Sequence, residues 1–369
     1  MQIPSTPSKI LMTTDTLGGV WTYTIKLIKA LSEYGIEVHL ASMGRPLNSA
    51  QHQQLLELKN VTIYESDYKL EWMTDPWQDV SQSKIWLEKI HQQVQPDLVH
   101  LNTFSHGSIG FDVPVIVVGH SCVLSWWQAV KGETAPASYQ TYRDEVRTGL
   151  QAADLVVAPS AAMMQQLNFY YGPFENYKVI SNGVEIPNKN TFKWPYILSI
   201  GRIWDEAKNI QALQKISKNI NWKICLAGES KSPESKSDAL GKGIHYLGYV
   251  SHYEVLKLMT EASIYAHPAR YEPFGLTIAE AASAGCALVL GDIPSLKENW
   301  DQAALFVNPE DLKELHYNIN LLTKDNQLRN KLANESKSRA TEFSLCKMAE
   351  KYHEAYTQLV SRDALHITN

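Results

Sequence analysis

Short apolar runs alternate with stretches of helical periodicity along most of the chain. Residues 9–13 form such a run, 15–19 a polar loop, and Tyr23, Leu27, Ile28 and Leu31 then recur at helical spacing until Gly35. A second apolar run at 37–42 completes a strand, glycine loop, helix and strand. That is a βαβ unit, whose first loop opens at the sheet edge where such folds bind ligands. Further strands are predicted at 61–64, 98–101, 115–119 and 155–158, with helices at 79–94, 139–151 and 161–169. The tract 186–195 is polar and bracketed by prolines, which marks a linker. Beyond it the alternation restarts, with strands at 196–200, 222–227, 245–247, 264–267 and 287–290. Helices follow at 311–322, 326–340 and 347–360, and 230–242 reads as a mobile polar loop. A chain of 369 residues exceeds one ordinary core. The expectation is an α/β protein of two domains, 1–186 and 187–346.

The stretch 271–289, Y-E-P-F-G-L-T-I-A-E-A-A-S-A-G-C-A-L-V, carries the most chemistry. Pro273 and Gly275 shape a loop, a small-residue helix starts near Leu276, and Gly285 should end it in a left-handed cap. The first amides, at Gly275, Leu276 and Thr277, lack intrahelical acceptors, and the positive end of the helix suits a phosphate. Glu272 lies in the loop ahead of those amides. Glu280 lies one turn inside, about 6 Å along the axis. A carboxylate accepts from two neighbouring hydroxyls, as on a ribose, so the layout fits a nucleotide diphosphate-sugar. The plainer reading is a small-residue helix packed closely on a sheet, with Glu272 serving the helix dipole.

Composition narrows the classes. A net charge of −5 argues against a nucleic-acid partner, and 44% hydrophobic with 20% charged residues describes a globular chain. Cys122, Cys225, Cys286 and Cys346 stand far apart, three in apolar surroundings, which points to free thiols in a reducing compartment. With no apolar signal core and no 18-residue apolar run, the expected location is cytoplasmic. No Asp-x-Asp occurs, so a metal-clamped diphosphate is not expected, and with the nucleotide-sugar as a substrate no cofactor is expected.

The Glu-x7-Glu block followed by small residues, Gly and a strand resembles the signature of retaining glycosyltransferases of family 4. The resemblance covers nearly the whole chain. It implies the GT-B fold, two Rossmann-like domains facing a cleft, with helix 347–369 returning to the first domain. It assigns Glu280 to the ribose and Glu272 to the transferred hexose, with Phe274, Gly275, Leu276 and Thr277 in the donor loop. Arg202 and Lys208, after the first strand of the second half, match a pair that holds the diphosphate; otherwise they are ordinary surface charges. Tyr249 and Val250 fall where the family cradles the base, and Gly19 of Gly18-Gly19 where it contacts donor phosphate or acceptor. His120, at the end of the 115–119 strand, matches a histidine that reaches the hexose; strand ends also hold purely structural histidines. Trp126 and Trp127 lie close by in sequence, as sugar-stacking or core residues. The implied reaction is metal-independent, retaining hexosyl transfer to a saccharide or lipid-linked saccharide, with UDP-glucose as first choice of donor. A peripheral membrane contact stays open, and the sequence does not set the oligomeric state. The competing readings are a nucleotide-sugar epimerase and a non-catalytic nucleotide-sugar-binding protein.

Overall fold

The computed structural model describes residues 6–187, 192–229 and 244–367, with side chains of the last helix through Asp363. The polar loop expected at 230–242, and 188–191 of the expected linker, lie outside the described residues. The chain divides into two compact units. The first comprises the chain up to Ser125, Thr134–Gly183 and the chain from Leu345; the second comprises Trp126–Glu133 and Val184–Ser344.

The first unit holds β1 (Lys9–Asp15), β2 (Glu37–Met43), β3 (Val61–Glu65), β4 (Leu98–Leu101), β5 (Val115–Val118), β6 (Leu155–Ala158) and β7 (Tyr177–Val179). They form one parallel sheet in the order β3-β2-β1-β4-β5-β6-β7. β4, β5 and β6 are fully buried, and apolar apart from His100 in β4, because helices cover both faces, whereas the edge strands β3 and β7 are partly exposed. The helix Leu345–Ile367 lays Met348, Tyr352, Ala355, Tyr356 and Leu359 inward and packs against the helix Gly19–Leu31.

The second unit holds β8 (Trp194–Ile200), β9 (Lys223–Ala227), β10 (Ile244–Gly248), β11 (Ala262–His267), β12 (Ala287–Gly291) and β13 (Ala304–Val307). These too are parallel, in the order β10-β9-β8-β11-β12-β13. Apolar clusters cover its two faces, one around Tyr265, Phe274 and Trp300, the other around Leu213, Ile264 and Ile319. Each sheet reverses its strand order beside its first strand, between β1 and β4 and between β8 and β11. In open α/β sheets the ligand crevice lies there, outside the carboxyl ends of the strands.

The sequence reading lacks several elements that the structure contains. β13 is four residues long, and the helices Ser49–Leu56, Val123–Lys131, His252–Glu261 and Pro294–Trp300 are short. The first and third open with side-chain capping boxes, Asn48 with Gln51 and Ser251 with Glu254. Cys122, Cys225 and Cys286 are buried, Cys346 is exposed, and all four are free thiols. No helix among the described residues is long and apolar enough to cross a membrane.

Candidate functional site

Most of the singled-out residues converge at the switch point of the second unit. β8 ends in Gly201-Arg202, and β11 ends in His267 ahead of the loop that carries Glu272. A Cβ on Gly228 would stand 2.0 Å from the Gly201 carbonyl oxygen, so only glycine lets the loops after β8 and β9 touch. Asn209, in the left-handed region at φ 53, donates through Nδ2 to the carbonyls of Pro268 (2.9 Å) and Pro309 (2.8 Å). The Arg270 amide donates to the Ala207 carbonyl at 2.8 Å, tying the two site loops together.

Those ties place Lys208 on Glu272, Nζ donating to Oε2 at 2.6 Å. The side chains are 18% and 12% exposed, so this is a largely buried ion pair. Burial alone would raise the Glu272 carboxyl. The Lys208 ammonium outweighs it and holds the group well below the usual carboxylate range. His267 Nε2 is 3.4 Å from the same Oε2, close but too poorly aligned to be a hydrogen bond. Burial lowers the His267 pKa, so the ring tends to neutrality. The Ser295 hydroxyl donates to the Glu272 carbonyl at 2.5 Å and fixes the backbone of the loop.

Gly275 starts the helix Leu276–Ser283 at φ 87, where a Cβ would stand 2.6 Å from Ile278 Cδ1. No side chain caps this start. The helix ends where the sequence predicts: the amides of Gly285 and Cys286 donate to the carbonyls of Ala282 and Ala281, a Schellman closure with Gly285 at φ 80. Thr277 accepts from the Tyr265 hydroxyl at 2.8 Å. Glu280 is buried at 4% exposure, with His252 Nε2 3.8 Å from its Oε1.

The other candidates fall out differently. Arg202 pairs with buried Asp205 (Nη2–Oδ2 2.9 Å) and lies over the Trp204 ring. Tyr249 is 71% exposed, while Val250 packs on the core. The Phe274 ring is buried in the core, edge-on to Phe343. Gly19 and His120 belong to the first unit. At the helix start there, the glycine with the demanding backbone is Gly18, at φ 91, and Gly19 is the first helical residue. His120 follows β5, and its Nε2 is 2.7 Å from Asn102 Oδ1. Trp126 and Trp127 are both partly buried and meet edge to face, outside the core. The sequence reading missed His267, His252 and Asn102. His267 closes an apolar strand, and His252 sits inside the S-H-Y-E capping signature.

Two family descriptions match successive stretches of the chain: Glycosyltransferase Family 4 at residues 17–186 and Glycosyl transferases group 1 at residues 185–339. The chain belongs to the family 4 type of glycosyltransferases. Its fold is GT-B, matching the solved structure of sucrose-phosphate synthase from Thermosynechococcus elongatus at TM-score 0.77 and 18% identity, over 96% of this chain and 100% of that one. Anabaena HepE, solved in complex with UDP-glucose, matches at TM-score 0.74 and 18% identity, over 95% and 100%. Glycogen synthase of Mycobacterium tuberculosis is 27% identical over 234 residues, 55% of this chain and 54% of that protein. The chain thus spans about half the length of the first curated relatives it matches.

Proposed function

We propose that this glycosyltransferase moves a hexosyl group from a nucleotide-sugar to a saccharide or lipid-linked saccharide acceptor, with retention at the anomeric carbon. The observation that carries the reading is the Lys208–Glu272 pair at the start of the Leu276–Ser283 helix, with Glu280 buried one turn further in. In the proposed complex, Arg202, Lys208 and the first amides of the helix take the diphosphate, Glu280 the ribose, and Glu272 the hexose. The arriving phosphates compete for the Lys208 ammonium and draw it from Glu272. The bond from the anomeric carbon to the phosphate oxygen breaks, its electron pair leaves with the nucleoside diphosphate, and the cations stabilise the growing charge. The acceptor hydroxyl attacks on the same face and passes its proton to the departing phosphate oxygen. The ionised Glu272 then faces the positive charge that develops on the sugar. His120 is the first unit's proposed contact to the hexose. HepE is solved with UDP and with UDP-glucose, which supports trying that donor first.

The test is a nucleotide-sugar panel scored for release of nucleoside diphosphate, with and without saccharide acceptors, in excess EDTA. The expected result is EDTA-resistant turnover of UDP-glucose to an α-linked product, with configuration read by NMR. Binding without hydrolysis or transfer of any donor makes the protein a sensor. Activity restored to the chelated enzyme only by magnesium or manganese overturns the metal-free scheme.

A further inference from the structure

The first unit holds His120, its proposed contact to the hexose, among neutral hydrogen-bonding groups. Asn102, just past β4, is nearly buried, and its backbone amide and both side-chain polar atoms have defined partners. Its backbone amide donates to Thr13 Oγ1 at 2.8 Å, and its side-chain Nδ2 donates to the Thr13 carbonyl oxygen at 2.7 Å. A carbonyl oxygen only accepts, so the end of the Asn102 amide facing it must be the NH2. The other end, Oδ1, therefore faces His120 Nε2 at 2.7 Å, and that nitrogen must be the donor. His100 Nε2 lies 3.4 Å from the same oxygen and is the weaker competitor. Tyr23 packs edge-on to the His120 ring, centroids 4.5 Å apart, and limits its rotation. Burial takes the His120 pKa down to about 3, so the ring carries one proton at neutral pH. With that proton on Nε2, Nδ1 is a bare lone pair.

We propose that Asn102 is a positioning residue that fixes His120 in the Nε2–H tautomer, so that His120 offers an acceptor to a sugar hydroxyl. The sugar part rests on the function proposed above; the tautomer does not. An imidazole held this way has no proton to give on Nδ1. His120 is therefore excluded as the acid that protonates a leaving group and is restricted to receiving a hydrogen bond.

The experiment is a long-range proton–nitrogen correlation spectrum of the full chain, labelled with 15N-histidine, at neutral pH. The His120 ring is assigned by its loss in His120→Ala. The wild type should show protonated Nε2 and bare Nδ1. Asn102→Ala should give a mixture of tautomers. Asn102→Asp keeps an acceptor toward His120 but sets a carboxylate beside the ring, so it should keep Nε2 protonated and raise the His120 pKa. Turnover should fall about five-fold in Asn102→Ala, the scale of one hydrogen bond, with UDP affinity unchanged. A wild-type ring protonated on Nδ1, or charged at neutral pH, overturns the proposal even if Asn102→Ala fails to fold. A tautomer unchanged in Asn102→Ala overturns it equally. If the tautomer follows Asn102 but His120→Ala transfers sugar normally, the tautomer assignment stands, and it is the reading of His120 as a substrate contact that fails.

Discussion

At the switch edge of the first unit, His100 and His120 share the amide of Asn102 and both stay neutral, burial taking each pKa down to about 3. At the matching edge of the second unit, Glu272 is just as enclosed yet stays ionised, because Lys208 sits 2.6 Å away. Burial penalises charge at both edges. What differs is whether a counter-charge stands close enough to outweigh it. The imidazoles at the first edge therefore present hydrogen bonds and no charge. The second keeps a pre-formed pair of opposite charges that a dianionic ligand can split.

Breaking that pair should have the largest effect. Lys208→Ala leaves a buried carboxylate unpaired, which should cost roughly 3–5 kcal/mol of folding stability at neutral pH. Turnover should fall by roughly a hundred-fold or more, as for other stabilisers of developing charge. Glu272 has a depressed folded pKa, so its contribution is full above the ordinary carboxylate value of 4.5 and is lost as pH falls below it. The stability gap between wild type and Lys208→Ala should thus narrow in acid. Adding Glu272→Gln to Lys208→Ala should restore most of the stability and none of the turnover. Denaturant titrations showing Lys208→Ala as stable as wild type would mean the pair is not coupled in solution.

The comparison sharpens in acid. An unfolded histidine takes up a proton near pH 6.5, whereas the folded His100, His106 and His120 resist it until about 3. Between those values the unfolded state binds more protons, so stability is full above about pH 6.5 and drains as pH falls. At pH 5 the loss is about 2 kcal/mol for each of the fully buried His100 and His106. Glu71 of the same unit, raised by burial, works the other way, but it is one group against those three and His39, which burial also lowers. In the second unit His267 alone shares the histidine shift, and the Glu272 pair holds until below 4.5. Pulsed hydrogen exchange after incubation near pH 5 should therefore label β4 and β5 before β11 and β12. The reverse order would show that the histidines are not neutral inside.

The legible parts of this molecule are those where one local signal decides. The Leu276–Ser283 helix opens and closes at glycines in the left-handed region, φ 87 and 80, and both positions stand in the sequence. β5 and β6 read as strands because their buried faces leave unbroken apolar runs. What escaped depends on neighbours far apart in sequence. Asn102 meets His120 because β4 and β5 are paired with Leu101 opposite Val117, which sets the residues after both strands side by side. Lys208 reaches Glu272 across 64 positions, on loops pinned by Asn209, and the sequence shows neither the distance nor that the two neutralise each other. The helix Ser49–Leu56 was missed for a simpler reason: it is polar on nearly every side, so its capping box had no apolar periodicity behind it.

The smallest effects should come from the second carboxylate of the same unit. Glu280 is 4% exposed, but His252 opposite it is 38% exposed at 3.8 Å, so solvent screens that pair and it is worth little. If Glu280 takes the ribose hydroxyls, its removal costs charge-assisted hydrogen bonds of about 1.5–3 kcal/mol, or roughly ten- to a hundred-fold in affinity for the nucleoside diphosphate. His252→Ala removes only the screened neighbour and should weaken the same binding by no more than about five-fold. Calorimetry with UDP on the two variants separates the cases. Equal losses would make the pair a single unit in which His252 presents Glu280. That would give the second unit a positioned site residue of the kind Asn102 makes of His120. Wild-type affinity in Glu280→Ala would remove the ribose from this helix altogether, leaving Glu280 as a buried charge whose partners are all protein.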